Sequence, residues 1–202
     1  MVLTISIIVV TALTSFAAFN NEEIFAKLIL WPRVMDKPAE YYRLLSSGFI
    51  HADIGHLFFN MFTLYFFGEF VESAFSYLNT PLLFLILYLT GIVIASLPSF
   101  LKNRHNSYYR SLGASGGVAA VLFASIYFNP WAKISFMFLP IGIPSIIFGV
   151  LYVGYSAYMD RKGGTNINHN AHLWGGIYGF TFAFAFDPTH GRIFLDQLFQ
   201  HN

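Results

Sequence analysis

Residues 81–101 read PLLFLILYLTGIVIASLPSFL, and this run contains no charged side chain. A helix that crosses the hydrocarbon core of a bilayer needs roughly 20 mainly apolar residues. The run reaches that length, and its apolar residues do not alternate with polar ones as they would in a strand of a membrane β-barrel. We therefore expect these residues to form a transmembrane helix.

The remainder of the chain has a similar composition. Of its 202 residues, 56% are hydrophobic and 10% are charged, and a soluble domain of this length needs more charge on its surface. With five further apolar stretches, the sequence predicts an all-α polytopic membrane protein, a single domain over residues 1–202 with six transmembrane helices in a compact bundle. The predicted spans are residues 4–19, 55–77, 81–101, 112–128, 134–159 and 171–186.

Two segments outside these spans are expected to lie in the membrane interface. In the loop of residues 20–54, an apolar stripe runs beside charged side chains, which is typical of a helix that lies flat on a bilayer. The C-terminal tail, residues 187–202, has a similar mixture. The first apolar run lacks the Lys or Arg that precedes the apolar core of a signal peptide, so we interpret it as the first span.

Charge and cysteine content exclude several classes of function. The net charge is +1 and no basic patch is evident, so no nucleic-acid partner is expected. The chain has no cysteine, which excludes disulfides, thiolate zinc sites and a cysteine nucleophile.

Four polar side chains stand near the starts of the even-numbered spans. His56 and Asn60 lie in the second span, Ser115 in the fourth and His172 in the sixth. The even-numbered helices of a six-span protein all begin at one face of the membrane, so these four residues share a face and a depth. Polar groups in hydrocarbon cost free energy, and a cluster of them therefore indicates a functional site.

The residue types in this cluster suit acyl transfer. Ser115 stands among small residues, including Gly113 and Gly116, which expose its hydroxyl and the neighbouring amides at a helix start. A neutral histidine such as His172 can accept the serine proton and later protonate a leaving amine. No carboxylate is expected at this depth, so the pair would be a dyad rather than a Ser-His-Asp triad.

The other members of the cluster have supporting roles in this interpretation. His56, Asn60 and the backbone N–H of Ser115 are candidate donors to an oxyanion. Gly175 and Gly179 follow His172 at helical spacing, and two small residues four apart allow helices to approach closely.

The motifs Gly113-Ala114-Ser115-Gly116 and His56-x-x-x-Asn60, with Ala171-His172 before Gly175 and Gly179, resemble those of the rhomboid intramembrane serine proteases. The match extends over nearly the whole chain. Glu40, Tyr42 and Arg43 resemble the first-loop motif of the family, although its aromatic is usually Trp, and Glu72 fits a structural acidic position.

The resemblance implies a function and a set of partners. The expected activity is hydrolysis of peptide bonds in or near transmembrane segments, with Ser115 as nucleophile, His172 as base, and neither cofactor nor metal. The expected partners are membrane lipids and transmembrane substrates that enter laterally from the bilayer. In some members a Tyr four residues after the nucleophile packs against the catalytic histidine. Here that residue is Ala119, so another group must support His172.

Orientation and gating are predicted less directly. The family implies a multi-pass protein of the inner cell membrane with its site toward the extracytoplasmic face. The positive-inside rule favours the opposite orientation, because only two of the 11 Lys and Arg residues, Lys133 and Arg192, lie on the other face.

In the fifth predicted span, Pro and Gly residues suit either a movable gate or a static kink, and Gly163 and Gly164 could hinge a cap. Four such residues of that span are Pro140, Gly142, Pro144 and Gly149.

Two alternative functions stay open. Four histidines could gather near one face and bind a metal, since imidazole binds zinc, although no H-E-x-x-H motif is present. These histidines are His51, His56, His169 and His172. A non-catalytic protein of the same fold that binds client helices is the second alternative, and the presence of Ser115 and His172 is an argument against it.

Overall fold

The computed structural model describes residues 1–136, 139–164 and 167–199, with only the backbone described at residues 136 and 139–141. Over these residues the protein is mainly helical. The helices are α1 (Val2–Phe19), α2 (Glu22–Leu28), α3 (Arg43–Ser46), α4 (Ile54–Tyr77), α5 (Leu82–Lys102), α6 (Ser115–Phe128), α7 (Ser145–Lys162), α8 (His169–Phe186) and α9 (His190–Phe199). The strands are β1 (Lys133–Phe136) and β2 (Leu139–Pro144), and short 3-10 turns cover Pro32–Val34, Pro38–Glu40 and Ser47–Phe49.

Several of these helices suit a membrane. The helices α1, α4 and α5 each have the length and apolar composition to cross a bilayer, and α6 is a shorter apolar helix. The other long helices, α7 and α8, have 18 residues each. The apolar character predicted from sequence is thus present in α1, α4, α5 and α6, whereas the crossing of the membrane by six helices stays a prediction.

The prediction of one helix over residues 134–159 is wrong, because two short strands occupy the first part of this range in the mainly helical chain. Strands β1 and β2 form an antiparallel hairpin in which Ile134 pairs with Ile143, and α7 begins only at Ser145. Proline lacks the amide hydrogen that a helix interior requires. Pro140 and Pro144 therefore lie in β2, and Pro144 caps α7. Of the four predicted helix-weakening residues, α7 contains Gly149.

The fourth predicted span also begins later than expected. Residue 112 lies in the preceding connection, and α6 starts at Ser115. Gly113 has φ of +115°, a conformation that side-chain-bearing residues rarely adopt. The helix therefore begins immediately after this turn, and Ser115 is its first residue.

Helix α6 forms the centre of the molecule. All of its residues from Gly116 to Phe128 are buried, and it packs against α4, α5 and α8. Many large apolar side chains of the outer helices are exposed, among them Val10, Leu13 and Phe59. An apolar exterior around a buried central helix is the arrangement that a lipid environment favours.

The loop of residues 20–54 folds back on the bundle. The Arg43 side chain is buried, and its guanidinium donates to the carboxylate of Glu40 at 2.6 Å and to the carbonyl oxygens of Ala26 and Ile29. The hydroxyl of Tyr42 donates to the Lys27 carbonyl. The three residues of the first-loop motif thus hold the end of α2 in place.

Glu72 joins α1 to α4. Its carboxylate accepts hydrogen bonds from the backbone N–H groups of Leu3 and Thr4 and from the Thr4 hydroxyl. The first N–H groups of a helix have no partner within the helix. A carboxylate from α4 therefore caps α1, which gives Glu72 a structural role.

Candidate active site

The turn before Ser115 is held by the loop of residues 20–54. The N–H of Gly113 donates to the Ser47 carbonyl at 2.9 Å, and the N–H of Ala114 donates to Nε2 of His51 at 3.2 Å. Leu30 and Ser111 exchange a pair of backbone hydrogen bonds just upstream. These contacts fix Ser115 at the N-terminus of α6, where unpaired backbone N–H groups can stabilise an anion.

Asn168 fixes the start of α8, the helix that carries His172. Its side-chain oxygen accepts from the N–H of Ala171 and from the Ser99 hydroxyl, and its amide nitrogen donates to the Ser111 hydroxyl. The residue is therefore a helix cap that also ties α8 to the segment preceding the nucleophile. His172 follows in the first turn of α8.

Helices α6 and α8 are in direct backbone contact. A Cβ atom on Gly175 would lie 2.3 Å from the carbonyl oxygen of Gly116, and one on Gly116 would lie 2.5 Å from the Cβ of Ala95 on α5. Real Cβ atoms essentially never approach so closely, so only glycine fits at these positions. This contact sets the separation between the helices that carry Ser115 and His172.

A large cavity connects the predicted site residues. Its volume is about 1630 Å³, and its lining includes His56, Asn60, Ser115 and His172. Ser115 and His172 are both half-buried. In the described part of the chain no hydrogen bond joins their side chains, which is common before substrate binds, because catalytic hydrogen bonds often tighten only in the complex.

His56 and Asn60 lie on α4, and the His56 ring faces the turn at Gly113. A Cβ atom on Gly113 would lie 2.6 Å from a ring carbon of His56, so the glycine is needed for space as well as for its positive φ. The amide nitrogen of Asn60 donates one hydrogen to the His56 carbonyl at 2.9 Å. A primary amide carries two hydrogens, so the second can serve another acceptor.

His51 is a residue whose role the sequence analysis did not identify. It is fully buried, with Nδ1 2.9 Å from the Ser15 hydroxyl and Nε2 accepting from Ala114. Burial, together with the neighbouring His56 imidazole, lowers the pKa of His51 to about 3. The ring is therefore neutral and supports the nucleophile turn, a contact between distant segments that no local pattern indicates.

The same contacts bear on the metal alternative. Both nitrogens of His51 already have protein partners, so neither has a lone pair free for a metal ion. Within residues 1–136, 139–164 and 167–199, no three His, Cys, Asp or Glu side chains are arranged to hold a metal.

Aromatic rings contact His172 and support it in the absence of a tyrosine at residue 119. Tyr152 of α7 stacks on the His172 ring, with centroids 5.8 Å apart and an interplanar angle of 18°. The His169 ring meets His172 edge-on at 5.9 Å. Ala119, four residues after Ser115, lines the same cavity. The stacking of Tyr152 depends on how α7 packs against α8, which the sequence does not reveal.

Most of the chain is similar to known proteins. The family profile described as Rhomboid domain matches residues 38–188. RHOMBOID-like protein 12, mitochondrial, from Arabidopsis thaliana is 31% identical over 154 residues, which cover 69% of this chain and 44% of that protein. Rhomboid protease GluP from Bacillus subtilis is 31% identical over 146 residues, which cover 72% of this chain and 26% of that protein.

A third relative is the Presenilin-associated rhomboid-like protein A, mitochondrial, from Danio rerio, which is 28% identical over 67% of this chain and 35% of its own length. The chain therefore spans less than half of the length of each of these relatives.

Proposed function

The chain belongs to the rhomboid family, as its motifs indicated, and on that premise we propose that it is an intramembrane serine endopeptidase. The observation that carries the proposal is that Ser115, at the N-terminus of α6, and His172, in the first turn of the adjoining α8, line one cavity. The family includes proteins named as proteases, such as GluP.

The proposed reaction begins with attack by Ser115 Oγ on the carbonyl carbon of the scissile peptide bond, while His172 takes the hydroxyl proton. The carbonyl oxygen becomes an oxyanion that accepts hydrogen bonds from the Asn60 amide, the His56 ring and the free N–H groups at the start of α6. Collapse of this intermediate breaks the C–N bond, and His172 gives its proton to the departing amine.

Hydrolysis of the resulting ester completes the cycle. His172 takes a proton from water, the hydroxide attacks the acyl carbon, and the Ser115 oxygen leaves with the proton that His172 returns. Both steps use side chains and backbone N–H groups of this protein and one water molecule. The dyad operates without a carboxylate, so the imidazole must be oriented by its packing.

The proposed substrates are transmembrane proteins whose helices enter sideways from the bilayer. Helices α4 and α7 do not pack closely against each other along their described lengths, and the cavity lies between them. Its lining includes Phe59, Phe62 and Phe66 on α4 and Phe148 on α7. Such apolar walls suit the side chains of a membrane-spanning helix.

The proposed setting is a multi-pass protein of the inner cell membrane in which α1, α4, α5, α6, α7 and α8 cross. The active site is proposed to face the extracytoplasmic side. This orientation follows the family, in spite of the Lys and Arg residues that flank the site face.

Purified protein, incubated with a panel of single-span membrane proteins and separately with a fluorophosphonate probe, tests the proposal. We expect Ser115→Ala to abolish both cleavage and labelling while the thermal unfolding midpoint stays near that of the wild type. The matched control is Ser125→Ala, which removes a hydroxyl from the same helix and cavity and should keep activity. Cleavage by purified Ser115→Ala would refute the mechanism, whereas binding of helices without cleavage by the wild type would favour the non-catalytic alternative.

A further inference from the structure

Two pairs of rings join α7 to α8 beside the candidate active site. Tyr152 stacks on His172, and Tyr155 meets His169 edge-on at 5.6 Å. The two tyrosines are three residues apart on α7, and the two histidines are three apart on α8. Residues at this spacing share one helix face. The contact face between the two helices thus includes the candidate catalytic base.

The ring contacts are the main restraint on the orientation of His172. No hydrogen bond to either nitrogen of His172 is made by the residues that the structure describes. Ala119 offers a methyl group where a tyrosine could have packed from α6, and this position is buried. Of the two rings in contact with His172, Tyr152 is stacked on it and His169 is steeply inclined to it, at 72°.

We propose that Tyr152 is a positioning residue for His172, holding the imidazole plane by stacking from α7 so that one ring nitrogen points toward Ser115. This inference rests on the proposed function. Stacked and T-shaped ring pairs have preferred geometries, so a ring with one neighbour of each kind loses much of its rotational freedom. The contact uses the tyrosine ring, and the hydroxyl of Tyr152 makes no hydrogen bond to the described residues.

Because Tyr152 lies on α7, its contact with His172 also links the orientation of the imidazole to the position of that helix. Helix α7 packs mainly against α8, and the Tyr152 ring also meets the Phe123 ring of α6, with centroids 5.7 Å apart. When α7 moves, the Tyr152 ring moves with it. The orientation of the base is therefore coupled to the position of the helix that forms one wall of the cavity.

The test measures the rate of Ser115 labelling by a small fluorophosphonate probe, together with kcat and KM for a cleaved single-span protein. The small probe does not need the apolar walls of the cavity, which are proposed to hold a substrate helix. Its reaction rate therefore reports on the dyad rather than on substrate binding. The variants are Tyr152→Leu, Tyr152→Phe and the matched control Tyr158→Leu. The control removes the same atoms from an exposed position on the same helix.

For Tyr152→Leu we expect labelling and kcat to fall by about 10- to 100-fold, because a small misplacement of a catalytic group costs rates of that order. Its KM should stay within about 2-fold of the wild type, in keeping with loss of an interaction that acts on the chemical step. Tyr152→Phe keeps the ring and should stay within about 3-fold in both rates, and Tyr158→Leu should behave as the wild type. If Tyr152→Leu does not fold, Tyr152→Met replaces it, with the same expected rates.

Three results would overturn the inference: unchanged labelling in Tyr152→Leu, equal impairment of Tyr152→Phe, or equal impairment of Tyr158→Leu. The second would assign the effect to the hydroxyl and the third to general damage to α7. Failure of the proposed function is a separate outcome, because the wild-type protein would then show no Ser115-dependent labelling at all.

Discussion

Gly179 of α8 lies against Ala120 of α6 so closely that a Cβ atom on the glycine would stand 2.0 Å from the Ala120 carbonyl oxygen. The contact is with backbone, which cannot rotate away as a flexible side chain can. The two helices that carry Ser115 and His172 therefore meet at a separation that even one methyl group would change.

The first prediction concerns this contact. Gly179→Ala should force α8 away from α6, destabilising the fold by about 1–3 kcal/mol as overpacking does and lowering turnover by about 100-fold. The matched control is Gly154→Ala on α7, where an added Cβ meets nothing within 4 Å. Thermal unfolding and cleavage rates of both variants should be measured together. Normal turnover in Gly179→Ala would show that this contact does not position the dyad.

The second prediction concerns the oxyanion. Asn60→Ala should lower kcat by about 10- to 1000-fold with little change in KM, because the lost amide hydrogen serves only the charged intermediate. Thr63→Val is the control, since Thr63 lines the same cavity from the same helix and its hydroxyl donates to the carbonyl of Phe59 within α4. Steady-state kinetics on a cleaved single-span protein would decide. A variant that fails to fold would instead give Asn60 a structural role.

The candidate site residues could be singled out from the sequence, whereas the boundaries of the helices around them could not. Ser115 and His172 stand out because polar residues are rare in apolar segments, and the even-numbered helices bring them to one face. The hairpin was missed because its strands are as apolar as a helix, and only Pro140 and Pro144 indicate the break. Tyr152 could not be identified, because its contact with His172 depends on the packing of two helices.

The third prediction concerns acid. Unfolded chains bind a proton at a histidine near pH 6.5, whereas the folded protein protonates His51 only near pH 3, so between these values the unfolded state holds more protons. The contribution of His51 to stability is therefore complete above about pH 6.5 and falls as the pH is lowered, by up to about 1.4 kcal/mol per unit.

His51→Gln lacks the titrating ring, and an amide can still accept from Ala114. Its thermal unfolding midpoint should consequently fall less than that of the wild type between pH 8 and pH 5. The other histidines are the same in both proteins, so the difference isolates His51. Parallel curves would contradict the neutral, buried state of this ring.

The fourth prediction concerns orientation in the membrane, and the absence of native cysteine makes it simple to test. Tyr108→Cys marks the connection between α5 and α6 beside the cavity, where Tyr108 is 92% exposed. Thr80→Cys marks the exposed connection between α4 and α5 at the opposite face. In intact spheroplasts, an impermeant maleimide should label the first variant and spare the second. The reverse pattern would mean that the positive-inside rule describes this protein correctly.

The 14 residues of α6 have a consequence for the lipid around the protein. At 1.5 Å per residue the helix is about 21 Å long, some 9 Å shorter than the roughly 30 Å hydrocarbon core of a typical bilayer. Ser115, at one end of that helix, would lie below the headgroups unless the surrounding lipid became thinner, and the mismatch has a cost for every ångström. The rate of the reaction should therefore depend on the acyl-chain length of the lipid, because that length determines how deep in the bilayer water must penetrate to reach Ser115.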